Sequence, residues 1–455
     1  MPLKTTPQHL AWLAAMACTT GASATSLNPH YSNGLVDWVQ TAQTGQADLL
    51  LIGDSTVLKN GGWASGLNTG FAGNSTFGLA GTGLLGGTNN NEGEGFFQFA
   101  DDRAFADPNA FSGDRLFDWT IDLPPTQAGQ AIGNNIHPFG IAKVNAGRGD
   151  WAVRGIQLDG STLASNANYT FTAQLRADAA QGATSNYDLA RRNTDGFTTV
   201  SGNTLTADGN FHSVSHGFSA NTADTGNVQF SVRNMTDGLE MSSYRLRETD
   251  ASGVTVTSWG YGGKSTRDFY DEQYTPLTEA FRQDTLNQIV EGGSGKLLVV
   301  ITEAFNDINE TLPSLTNGIT PPNSADAFVD NLMAVITEVQ TDWAAGGNNI
   351  NDLSFLALGQ YDTREHIEAY STALRAAAQA NAELSFFDLR SLTEGETQQQ
   401  IESRLDSVNL HFANRESAAF YGSGLVDALT TVPEPTSAAL LLTAGSLLLG
   451  RRRQA

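Results

Sequence analysis

The chain has 455 residues, 40% of them apolar and 16% charged, which excludes wholesale disorder and is long enough for two or three domains. Its 48 Asp and Glu outnumber 25 Lys and Arg, for a net charge of -23, which excludes a nucleic-acid binder that works through a basic stripe. A single Cys excludes a disulfide framework and a Cys-rich zinc site.

Residues 1–24 read as a secretory signal peptide. Lys4 supplies the positive start, Leu10 to Ala17 a short apolar core, and Ala22-Ser23-Ala24 a small-residue cleavage site. The core is too short to span a bilayer. Cys18 would anchor a lipoprotein signal instead, but Ala15 stands where such a signal carries Leu. Cleavage after residue 24 leaves no Cys, which suits an oxidising compartment.

Leu49 to Ile52 is a continuous apolar run ending at Gly53-Asp54-Ser55-Thr56, the pattern of a buried parallel strand entering a tight turn. Residues 60–95 are rich in Gly, Asn and Thr and show no helix period. From about residue 110 to 250 short runs alternate apolar with polar, as in Tyr169 to Arg176 and Asn227 to Arg233, with Gly, Asn and Asp turns between them. This predicts an antiparallel sandwich. After 254 the texture changes again. Strands are predicted at 254–258, 296–301, 353–358 and 384–389, and helices at 276–290, 325–343 and 367–380. Such alternation means a parallel sheet with helices on both faces. The predicted organisation is one α/β domain made of residues 25–95 and 251–430, interrupted by a β-sandwich over 96–250.

Chemistry concentrates at four places. Ser55 ends the first strand, where open α/β sheets build their sites, and Gly53 and Asp54 allow and brace its turn. Gly263, in Gly260-Tyr261-Gly262-Gly263-Lys264-Ser265-Thr266-Arg267, can present a backbone N–H to an oxyanion, and so can the amide of Asn306 in Phe305-Asn306-Asp307. His411 follows the last strand and is placed to act as a general base.

In this order the four blocks resemble those of the SGNH, or GDSL-type, hydrolases. The resemblance covers both parts of the α/β domain and implies a flavodoxin-like three-layer α/β/α fold. It also implies Ser55 as nucleophile, His411 as base, and an oxyanion hole from the N–H groups of Ser55 and Gly263 with the Asn306 side chain. Within that superfamily, Gly53 to Thr56 and Gly263 to Phe269 look most like the rhamnogalacturonan acetylesterases, which deacetylate pectic polysaccharide. Two positions depart from the family pattern. Ala304 replaces a Gly, leaving the Asn306 donor intact. Val408 stands three residues before His411, where the family has Asp; either Asp406 orients His411 across a longer turn, or a backbone carbonyl or Asn409 does. The insert resembles jelly-roll carbohydrate-binding modules through Asp150-Trp151, the Asn168 to Arg176 run, Asp208 to Phe211 and Ser243 to Glu248. A spacer shaping the rim of the site is the plainer reading.

Other titratable residues fit less well. His366 is a rival base or a solvated side chain at a helix start. His212 and His216 share a strand face but are too far apart to chelate one ion comfortably. Asp271 and Glu272 read as solvated. No metal or organic cofactor is expected. Residues 431–455 end the chain with Pro433-Glu434-Pro435, an apolar stretch of about 15 residues, and Arg451, Arg452 and Arg453. This resembles the PEP-CTERM sorting signal of Gram-negative bacteria, which implies an exosortase-type partner and release or attachment at the outer surface; a permanent tail anchor is the alternative. The expectation is a secreted serine esterase acting on acyl, foremost acetyl, esters of a polysaccharide. A lipase or arylesterase, or a non-catalytic glycan-binding surface protein, is the rival.

Overall fold

The computed structural model describes residues 29–58, 62–85, 119–122, 141–144, 166–177, 182–193, 196–221, 229–234, 239–260, 265–275, 277–302, 307, 324–361, 365–405 and 411–432. Residues 1–24 and 433–455, with the signals expected there, lie outside them. Among the described residues no helix is long and apolar enough to cross a membrane.

In chain order the first elements are α1 (Asn33–Thr44), β1 (Gln46–Gly53), α2 (Ser55–Leu58), α3 (Trp63–Gly73) and β2 (Leu79–Leu85). The strands of the insert follow as β3 (Trp119–Asp122), β4 (Ile141–Val144), β5 (Asn168–Ala177), β6 (Thr184–Asn193), β7 (Gly196–Thr206), β8 (His212–Ser219), β9 (Gln229–Asn234) and β10 (Leu239–Glu248). The chain then runs through β11 (Gly253–Gly260), α4 (Glu279–Val290), β12 (Leu297–Ile301), α5 (Ala325–Ala345), β13 (Leu353–Gly359), α6 (Glu365–Ala380), β14 (Leu384–Asp388) and α7 (Arg415–Thr430).

β1 is the axis of the sheet because its apolar run has somewhere to go on both faces. Leu49 and Leu51 point into one cluster, with α1, α3 and α7, and Leu50 and Ile52 into another, with α4, α5 and α6. β12 and β13 alternate in the same way, which is why these strands read as continuous apolar runs. Leu332, Val335, Ile336 and Val339 form the buried stripe of α5, as their spacing predicts. The parallel order is β2-β11-β1-β12-β13-β14. Without the outermost parallel strand β2 this is the flavodoxin-like order, and the fold class is a three-layer α/β/α arrangement with an antiparallel β insert.

Two features depart from the predicted texture. The Gly-rich stretch after residue 60 carries α3 and β2. The glycines of α3 serve helix packing: a Cβ on Gly66 would lie 2.2 Å from the carbonyl oxygen of Ala418 on α7, and one on Gly422 would lie 2.1 Å from the carbonyl carbon of Gly66. α3 and α7 touch backbone to backbone, and this contact leaves no apolar periodicity to read.

The second feature is how the insert joins the core. β10 runs antiparallel to β2 on one side and to β5 on the other, so one sandwich sheet continues the main sheet. β7-β6-β9 form the second sheet. Tyr169, Phe171, Leu189, Leu205 and Leu246 from the sandwich belong to the same apolar cluster as α1 and α7. Phe211 reaches across to Phe281 of α4 at 5.6 Å between ring centroids, with the Arg176 guanidinium over its ring at 4.6 Å.

Candidate active site

β1 ends where neighbouring connections diverge to opposite faces of the sheet, the position at which open α/β sheets hold ligands. The turn there is built from short-range bonds. Asp54 Oδ1 accepts the Thr56 N–H at 2.8 Å, and the Asp54 carbonyl accepts the Val57 N–H at 3.1 Å. The Ser55 backbone opens α2 directly after this turn. Gly53 is needed here for space. Its φ is not in the left-handed region, but a Cβ would lie 2.1 Å from Thr302 Oγ1 and 2.3 Å from Val57 Cγ2. The turn is therefore pressed against the end of β12.

Asp54 is fully buried. Burial pushes its carboxyl above the ordinary Asp value, the hydrogen bonds from Thr56 pull it back, and so does its electrostatic interaction with His411. His411 thus lies within electrostatic reach of the residue that precedes Ser55. The segment carrying it is held on both sides. Leu405 and Phe412 form an antiparallel bridge, and Ala413 donates its N–H to the Arg404 carbonyl at 2.8 Å. Phe412 packs edge-on to Trp63 at 5.2 Å, stacks on Tyr421 at 5.4 Å and meets Tyr361 at 5.4 Å. Asn414 then caps α7, its side chain accepting the Ser417 N–H at 2.9 Å. No apolar period in the sequence signals this ring cluster, because its members come from three distant stretches, around residues 63, 361 and 412–421.

Gly263, Asn306 and Asp406 lie outside the described residues, as do Val408 and Asn409. Described residues close to them in sequence include Ser265, Thr266, Asp307 and Leu405. Thr266 begins a helical turn capped by Ser265, with a reciprocal bond from the Ser265 N–H to Asp268 Oδ2 at 2.9 Å. Asp307 is fully buried, and its Oδ2 accepts both the N–H and the hydroxyl of Thr266, each at 2.9 Å. Sequence reading assigned neither residue a role, although both sit inside the blocks it singled out. A π-helical segment, Phe269–Tyr274, follows, with Trp259, Phe269 and Tyr274 packed as three rings.

The other candidates have these surroundings. His366 is in the first turn of α6. His212 pairs with Asp208 at 2.9 Å at the exposed start of β8, and His216 stacks on Phe218 at 6.0 Å. Asp271 pairs with Arg267 at 3.1 Å on the surface. Among the described residues no group of three His, Cys, Asp or Glu side chains is arranged to hold a metal ion.

No family model matches the chain, and no curated protein sequence matches it. Among solved structures, a peptidoglycan O-acetylesterase aligns over 88% of this chain and 97% of its own, with a TM-score of 0.50 and 12% identity. The two share a fold. A family two carbohydrate esterase from Cellvibrio japonicus aligns over 58% of this chain and 86% of its own, at TM-score 0.27 and 9% identity. A carbohydrate-binding module of Cellvibrio mixtus lichenase 5A aligns over 29% of this chain and 88% of its own, at TM-score 0.19 and 14% identity. The last two scores are too low to carry an argument about fold.

Proposed function

We propose that the chain is a serine esterase that removes small acyl groups, acetyl foremost, from a carbohydrate. Ser55 attacks the ester carbonyl. His411 takes the Ser55 proton and returns one to the departing sugar hydroxyl, and water then releases the acyl group by the same route. The N–H groups of Ser55 and Gly263 and the Asn306 amide hold the developing oxyanion. The observation that carries this reading is the turn at the end of β1, closed by the Asp54 bonds to Thr56 and Val57, with the segment that carries His411 packed through Phe412 on Trp63 of α3.

Asp406 is the acid that orients His411. The isolated bridge between Leu405 and Phe412 supports it, because it holds the residue before Asp406 opposite the residue after His411. A carboxylate there holds the imidazole in the tautomer that faces Ser55. The chemistry of the similarly folded peptidoglycan O-acetylesterase is of the same class, acyl-ester cleavage on a glycan. Residues 1–24 direct export, and residues 431–455 are a PEP-CTERM-type signal for an exosortase-type partner at the outer surface of a Gram-negative cell.

The test is a fluorophosphonate probe together with hydrolysis of p-nitrophenyl acetate and of acetylated polysaccharides. The wild type is expected to label at Ser55 and to hydrolyse the esters. Ser55→Ala is expected to lose both while keeping its melting temperature, since the turn bonds come from Asp54. Near-normal hydrolysis by Ser55→Ala would refute the assignment.

A further inference from the structure

We propose that Asp307 is a positioning residue: by accepting both donors of Thr266 it fixes the loop that ends in Thr266 against the loop that carries Asn306, and so sets the geometry of the oxyanion hole. The proposal rests on the esterase reading above and adds to it the element that keeps the hole assembled.

The two oxyanion donors outside Ser55 belong to loops far apart in sequence. Gly263 precedes Thr266 by three residues, and Asn306 immediately precedes Asp307. The strands beneath the loops do not fix their separation, because β11 and β12 are not neighbours: β1 lies between them. The bond from Thr266 to Asp307 spans that gap directly. It is a double contact to a single carboxylate oxygen, from the N–H and the hydroxyl at 2.9 Å each, and both residues are buried. Thr266 opens a turn closed by a capping box, in which Ser265 Oγ accepts the Asp268 N–H and Asp268 Oδ2 accepts the Ser265 N–H. One end of the tie is thus a rigid turn, and the other end is one peptide from the Asn306 donor.

Charge argues that Asp307 acts through position. A bare carboxylate beside an oxyanion hole would oppose the negative charge that develops there. Two donors on Oδ2 offset part of that field, so the side chain can serve as an anchor without acting on substrate. The geometric demand is severe, since a donor displaced by about 1 Å can cost about 10²-fold in rate.

The test compares turnover per competent site in full-length protein, with sites counted by fluorophosphonate labelling. Thr266→Val keeps the backbone donor and loses the hydroxyl; Thr266→Ser keeps both. Asp307→Asn keeps an acceptor oxygen; Asp307→Ala loses the tie. The expected result is a fall in kcat of about 10-fold in Thr266→Val and about 10²-fold in Asp307→Ala, approaching the loss in Asn306→Ala. KM should stay within about 2-fold in both, and Thr266→Ser and Asp307→Asn should stay within about 3-fold of wild-type kcat. A purely fold-supporting role lowers the number of labelled sites and leaves turnover per site unchanged, which would overturn the proposal. Should Asp307→Ala fail to fold, Thr266→Val decides by the same criterion. A wild type that neither labels nor hydrolyses esters refutes the esterase reading itself, a result distinct from active wild type with unchanged variants.

Discussion

Gly53 and Asp54 divide the work of presenting Ser55. Gly53 makes room for Val57 and Thr302, and Asp54 supplies the acceptor that closes the turn. The same scale decides the acid partner of His411. If Asp406 holds the imidazole, Asp406→Asn is expected to preserve melting temperature and KM while lowering kcat strongly, because the ring loses its preferred tautomer. Val408→Asp in that background, which restores the family spacing, is expected to recover part of the loss. Steady-state kinetics on p-nitrophenyl acetate would show it. Full activity in Asp406→Asn with no gain from Val408→Asp would assign the orienting role to a backbone carbonyl, to Asn409 or to another side chain.

Among the elements, α3 and α7 show how packing overrides composition. A stretch rich in Gly, Asn and Thr has little helix propensity, yet α3 forms because its small residues let it lie directly on α7. Trp63, at the start of α3, then reaches Phe412 beside His411. Gly66→Ala would drive a methyl into the Ala418 carbonyl and is expected to cost at least about 1–3 kcal/mol. Gly73→Ala, on the same helix with nothing within 4 Å of the added Cβ, is expected to be neutral or to stabilise by up to about 1 kcal/mol. Opposite signs in urea denaturation would confirm close helix contact, and equal costs would argue against it.

At the scale of the whole molecule, the insert is tied into the α/β layer by two arginines of β10. Arg247 donates to Asp48 of β1 and, at 2.9 Å, to the Glu291 carbonyl. Arg245 donates to the carbonyls of Gln288, Ile289 and Glu291, so the pair caps the C-terminal end of α4, where positive charge is favoured. Burial lowers the pKa of Arg245 to about 10 and pushes the Asp48 carboxyl above its usual value, against the pull of Arg247. Asp48 and Arg247 are both buried, so removing one partner strands a charge. Arg247→Met is expected to cost about 3–5 kcal/mol. Adding Asp48→Leu is expected to restore much of this, but not all, since the Ile289 and Glu291 carbonyls keep their bonds from Arg245 but lose those from Arg247. An additive double mutant would show that the ion pair does not couple insert to core.

The strands and helices of the α/β layer were legible in the sequence because burial on two faces, or on one stripe, writes a local period: Leu49 to Ile52 and the α5 stripe are examples. Ser55 and His411 are proposed on a different ground, the order and spacing of short motifs. Only the tertiary structure decided that β2 and β10 weld the sandwich to the main sheet, that Gly66 and Gly422 seat α3 on α7, and that Asp307 holds Thr266. Each of these is a contact between segments distant in sequence. It depends on which backbones approach one another, and a single chain read residue by residue carries no periodic trace of that.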